Sequence, residues 1–155
     1  MNIEIIDRQA VRVACLRYTG PLGEPVGKFW RATVGPWLAD HGLVDCPRYG
    51  VTVDDPLTTP ADRCRYDACV ELPPGLTLPD AETRTIAGGR YAVTRFKGSS
   101  AEIGPAWGAF LRECEAVRAL RTDESRQSLE HYPRGAVFDT KYGVFACELC
   151  IPVGS

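Results

Sequence analysis

The sequence predicts an α+β domain made of duplicated β-α-β-β units, with pseudo-twofold symmetry, an antiparallel sheet, two main helices and a central groove. Three observations predict it. The order strand, glycine turn, helix, strand pair occurs twice along the chain. A shift of 78 positions lays Arg17-Tyr18-Thr19-Gly20 on Arg95-Phe96-Lys97-Gly98, Glu24 on Glu102 and Phe29 on Trp107; near the repeat ends the shift becomes 79, and Tyr66, Leu72 and Pro73 meet Phe145, Ile151 and Pro152. Finally, 155 residues of ordinary globular composition suit one domain with one core. The expected organisation is a single domain over 1–155, with repeat 1 at about 1–75 and repeat 2 at about 80–155. The cleft where the halves meet is the expected ligand site.

Each element has its own signal. Residues 2–6 and 11–18 are rich in β-branched and apolar side chains and read as extended. Thr19-Gly20-Pro21 breaks the strand, and Pro21 suits a helix start. Val26, Phe29, Trp30, Val34, Trp37 and Leu38 recur at helical spacing across 22–40, with Gly35-Pro36 expected to end or kink the helix and His41-Gly42 to stop it. Residues 48–54 and 62–72 read as strands around the turn residues Asp54-Asp55-Pro56 and Thr59-Pro60. The second copy follows: extended segments at 82–87 and 90–97 around Gly88-Gly89, and a capping-box pattern from Ser99 to Glu102. A helix carrying Ile103, Trp107, Phe110, Leu111 and Cys114 comes next, then an irregular charged stretch at 116–127 and strands at 128–132 and 142–152.

Composition excludes several functions. A net charge of −2 supplies no basic footprint for direct nucleic-acid binding. The first residues show no basic-then-apolar signal peptide, and no apolar run approaches a membrane span, so a cytoplasmic protein without membrane contact is expected. Seven cysteines, an odd number set mostly in apolar stretches, are expected to be free. Cys147 and Cys150 resemble a redox or metal CxxC, but positions i and i+3 of a strand face opposite ways. The two histidines, His41 and His131, lack ligand spacing. No metal and no cofactor is expected.

Glu148 is the leading candidate for the site. It interrupts the apolar strand Phe145–Ile151, and alternation groups it with Ala146 and Cys150, opposite Phe145, Cys147, Leu149 and Ile151. A carboxylate among small residues suits a pocket floor; a surface glutamate, or one paired with Arg65 or Arg95, is the competing reading. Trp107 and Tyr91 are expected to line the pocket, with Tyr132 and Tyr18 after them, because aromatic rings stack flat ligands and hold cations. Neither a Ser-His-Asp set nor a Cys-His pair is evident, so covalent catalysis lacks support.

Five segments resemble one family. Thr85 to Val93 is similar to its "I-x-G-G-x-Y-A-V" signature. Asp54-Asp55-Pro56 with Thr59-Pro60-Ala61, and Arg65-Tyr66-Asp67, resemble its first-repeat loop and the following strand. Leu129-Glu130-His131-Tyr132 resembles the "F-E-x-Y" strand, and Glu148 to Val153 the closing "E-x-x-I-P-V". The chain thus resembles the GyrI-like small-molecule-binding domains, of the stand-alone DNA gyrase inhibitory type. That resemblance implies a duplicated β-α-β-β fold with a central groove, the effector-binding module of multidrug-responsive transcription activators. For stand-alone members it implies gyrase inhibition, toxin protection or, in some, hydrolysis of cyclopropane-bearing natural products. It also implies a last-strand carboxylate that recognises cations, a motif position held here by Glu148. The function expected is binding of lipophilic, cationic small molecules, with DNA gyrase as a partner implied by resemblance alone. The alternative is a hydrolase in which Glu148 is the general base.

Overall fold

The computed structural model describes residues 1–136, 138–139 and 141–154. Strands form where apolar and polar residues alternate: β1 (Glu4–Arg8), β2 (Val11–Thr19), β3 (Arg48–Thr52), β4 (Arg65–Glu71), β5 (Glu82–Ile86), β6 (Gly89–Gly98), β7 (Leu129–Tyr132), β8 (Phe138–Asp139) and β9 (Val144–Pro152). They make one antiparallel sheet in the order β1-β6-β9-β7-β3-β4-β2-β5, with β8 paired to β9. Exchanging each strand for its repeat mate reproduces this order reversed, so the pseudo-twofold runs between β3 and β7. Each β-α-β-β unit begins with a further edge strand that crosses to the other half: β1 pairs with β6 and β5 with β2.

The first helix is continuous through α1 (Glu24–Phe29), a π-helical turn (Trp30–Val34) and α2 (Gly35–Asp40). Pro25, rather than Pro21, occupies its first turn. Gly35-Pro36 does not end it. Pro36 has no N–H and its ring crowds the preceding carbonyls. The wider turn absorbs this, with the Gly35 amide donating to the Trp30 carbonyl five residues back. The second helix is α3 (Ile103–Arg112), which also runs into a π turn, Glu113–Val117. Half of the expected capping box forms: the Ser99 amide donates to Glu102 Oε1 at 3.0 Å, while no side chain caps the helix start.

Both helices cover the same face of the sheet. One cluster there sets Phe110 and Cys114 on Ala92, Cys147, Leu149 and Ile151; its counterpart sets Val34 and Leu38 on Ala14, Tyr66, Ala68 and Val70. The opposite face has a core of strand side chains alone, including Val13, Cys15, Tyr49, Cys69, Tyr91, Val93 and Cys150, which the sheet encloses by curling into a half-barrel. The helices leave a gap over the middle of the sheet, on the pseudo-twofold.

Candidate ligand cavity

On the four-residue strand β7, alternation sends Glu130 and Tyr132 toward the helices and Leu129 and His131 to the other face. Glu130 is only 6% exposed and lies on the wall of a cavity of about 520 Å³ between α1 and α3. Its Oε1 accepts hydrogen bonds from the hydroxyls of Tyr66 and Tyr132, both at 2.8 Å, and Tyr66 Oη in turn accepts from the Trp30 indole N–H at 3.0 Å. Burial pushes the Glu130 carboxyl above the usual carboxylate range, opposed by the hydrogen bonds from Tyr66, Tyr132 and Trp107. Burial also holds both tyrosines neutral, so they remain donors.

Gly50 makes this network possible. It sits on β3 directly between Ala68 and Glu130. A Cβ there would lie 1.9 Å from Tyr66 Oη and 2.6 Å from Glu130 Oε1. The tyrosine hydroxyl thus fills the space that any larger residue at position 50 would take.

The rest of the cavity is mainly apolar and aromatic, with Thr52, Ser100 and Ser128 also lining it. Trp30 packs edge-on to Tyr66 and tilted on Tyr132, with centroids 6.4 and 5.7 Å apart; Phe138 stacks on Tyr132 at 5.5 Å. Trp107, Ile103 and Phe145 complete the wall. Arg31 and Asp139 also border the cavity but are exposed, so Glu130 is the buried charge. An aromatic cavity with one buried carboxylate can compensate a positive charge on an otherwise apolar guest, and can also place a base beside a water.

Of the residues expected to line the pocket, the structure brings Trp107 and Tyr132 into it. Glu148, Tyr91 and Tyr18 lie elsewhere. The grouping expected for Glu148 holds, since Cys147 and Leu149 belong to the helix-side core and Cys150 to the other face. The cavity opens on the helix side, where Phe145 lines it, and Glu148 is not among its lining residues. Glu148 Oε1 lies 2.6 Å from His131 Nδ1 and 3.5 Å from an Arg8 nitrogen. The His131 hydrogen bond holds the Glu148 carboxyl below its ordinary range, against the opposing effect of burial. Arg8 and His131, rather than Arg65 or Arg95, are its partners; Arg65 pairs with Asp54. Tyr91 is buried in the strand-only core, donating to the Ala87 carbonyl at 2.7 Å beneath the Arg126 guanidinium. Tyr18 donates to the Pro21 carbonyl and packs on Phe29.

Glu130, Tyr66, Trp30 and Gly50 were not singled out from the sequence. One signal was available. Glu130 and Tyr132 stand two apart on a short strand, so they share a face, and an acid beside a tyrosine on a central strand is a buried polar pair.

The chain matches the GyrI-like small molecule binding domain over residues 1–154 and belongs to that family. A DNA gyrase inhibitor of Escherichia fergusonii is 24% identical over 160 residues, covering 99% of this chain and 98% of that protein. Among solved structures, SAV2435 bound to tetraphenylphosphonium covers 100% of this chain and 95% of its own, with a TM-score of 0.70 and 17% identity. A hydrolase from Listeria innocua covers 98% and 91%, with a TM-score of 0.66 and 14% identity. At these identities the two structures establish the shared fold.

Proposed function

We propose that the cavity binds a lipophilic cation whose apolar body packs on Trp30, Trp107 and Phe145 and whose charge faces Glu130. The observation that carries this is a carboxylate buried in an aromatic cavity with only neutral hydrogen-bonding neighbours. A cationic guest would supply the missing countercharge without water. The tetraphenylphosphonium held by SAV2435 has this chemistry and supports the reading. Tetraphenylphosphonium titration of the wild type and Glu130→Gln tests it. Gln keeps the shape and the tyrosine donors but removes the charge, so affinity should fall by about 1–3 kcal/mol, roughly 5- to 150-fold. A neutral tetraphenyl analogue should bind both alike. Equal cation affinity in the two proteins would remove Glu130 from recognition.

A second reading, hydrolysis, is favoured by the raised pKa of the same group. A buried carboxylate whose pKa is raised is a stronger base than an exposed one. It transfers the hydrolase alternative from Glu148 to Glu130. Turnover of a cyclopropane-bearing electrophile by the wild type, abolished in Glu130→Gln, would establish it. A gyrase-directed role, implied by the relatives' name, is tested separately by a supercoiling assay; inhibition that survives Glu130→Gln would place the gyrase contact outside the cavity.

A further inference from the structure

We propose that Cys15 and Cys69 form a redox-active dithiol on the sheet face opposite the cavity, with Cys15 as the attacking sulfur and a hydroperoxide as the oxidant. Cys15 on β2 stands directly across from Cys69 on β4, and their sulfurs are 2.7 Å apart. The register suits a cross-link. The Leu72 amide donates to the Arg12 carbonyl and the Gly20 amide to the Cys64 carbonyl, which makes the even-numbered residues of β2 the hydrogen-bonded sites. Cys15 therefore occupies a non-hydrogen-bonded site, where paired Cα atoms approach to about 4.5 Å, inside the disulfide range of about 4.4–6.8 Å. Among the described residues this is the thiol pair in sulfur–sulfur contact.

Both thiols are buried, Cys69 (1% exposed) more deeply than Cys15 (6%), and their surroundings distinguish the two sulfurs further. Arg84 extends from the edge strand β5 toward them, and its Nε and Nη2 are buried without a hydrogen-bond partner among the described residues. Nη2 lies 3.0 Å from Asp67 Oδ2, a charge contact that lacks hydrogen-bond geometry. A thiolate at Cys15 is the acceptor those N–H groups lack. The Cys69 thiol and the Arg84 guanidinium draw the Cys15 pKa down against burial and the Asp67 carboxylate, which push it up, while hydrogen bonding to Cys15 and burial push Cys69 well up. By contrast, burial raises Cys147, and raises Cys150 to about 12.

The chemistry balances with one hydroperoxide. The Cys15 thiolate attacks the distal peroxide oxygen, breaking the O–O bond and giving Cys15–SOH and an alkoxide or hydroxide. That base takes the Cys69 proton. The Cys69 sulfur then attacks the Cys15 sulfur, the S–O bond breaks, and hydroxide leaves to collect a proton as water. Two thiols lose two electrons and two protons, and the peroxide becomes an alcohol or water plus water. The product ties β2 to β4, the strand that carries Tyr66.

Thiol counting and peptide mapping test this on the full chain. After a few equivalents of hydrogen peroxide and quenching with a maleimide in denaturant, two of the seven thiols should be lost. One cross-linked peptide should join Cys15 to Cys69, and dithiothreitol should restore both thiols. Other pairings, Cys15 over-oxidation without a cross-link, or seven intact thiols would overturn the proposal. In Cys69→Ala the Cys15 sulfenic acid should persist and be trapped by dimedone; labelling elsewhere or none would refute the order of attack. Arg84→Gln should slow wild-type oxidation several-fold at pH 7, because the Cys15 thiolate loses its guanidinium neighbour. An unchanged rate would remove Arg84 from the site.

Discussion

Replacing Gly50 with Ala should destabilise the protein, although the same change in an ordinary strand stabilises by about 0.5–1 kcal/mol. The new Cβ would lie 1.9 Å from Tyr66 Oη and 2.8 Å from its Cζ, so the ring must move. Overpacking of this kind costs about 1–3 kcal/mol. Moving the ring also removes a donor from a buried carboxylate, worth about 1.5–3 kcal/mol. The unfavourable effects win, leaving a net loss of about 2–5 kcal/mol. For a domain of this size that is a fall in Tm of roughly 4–20 °C. Thermal unfolding followed by circular dichroism measures it. The mechanism makes a sharper claim through Tyr66→Phe, which deletes the oxygen nearest the new methyl. The double variant should therefore lose less than the sum of the single losses, by at least about 1 kcal/mol. An unchanged or raised Tm for Gly50→Ala, or additivity within about 0.5 kcal/mol, would refute the reasoning.

The environments of Glu130, buried, and Glu148, partly exposed, predict opposite pH behaviour. Glu130 has a raised folded-state pKa, so the folded chain holds more protons than the unfolded one above about pH 4.3, and stability falls as pH rises from there to the raised value. Wild type should lose Tm relative to Glu130→Gln across that window; a constant difference would contradict it. Glu148 has a lowered pKa, so its contribution is present above about pH 4.3 and is lost as pH falls through the folded value. Glu148→Gln should be less stable than wild type at neutral pH and converge with it in acid. Because Glu148 lies outside the cavity, this variant should keep tetraphenylphosphonium affinity within about twofold of wild type, and a larger loss would return Glu148 to the site.

What the sequence determined by itself was the repeat and nearly every element, because both rest on local periodicity. The shift of 78 positions carries β1 onto β5, and alternation assigned the two faces of β9 correctly. The sequence could not show how the halves assemble. The exchange of β1 and β5 between repeats depends on pairings about 80 residues apart, and these leave no periodic trace. Nor could it show which face of β9 the helices would cover, and that choice placed the cavity beside Phe145 instead of Glu148. Of the two outcomes expected at Gly35-Pro36, an end or a kink, the end did not occur: Val34 and Leu38 pack on the sheet on either side, and a π turn takes up the proline. The cavity carboxylate is the clearest case. Glu130 is one residue of a four-residue strand, and the spacing that puts it on the face of Tyr132 does not say what covers that face. Its environment is assembled from Trp30, Gly50, Tyr66 and Tyr132, which meet only when β7 and β3 pair across the pseudo-twofold. Burial and hydrogen bonding set its charge, and both are properties of the folded sheet.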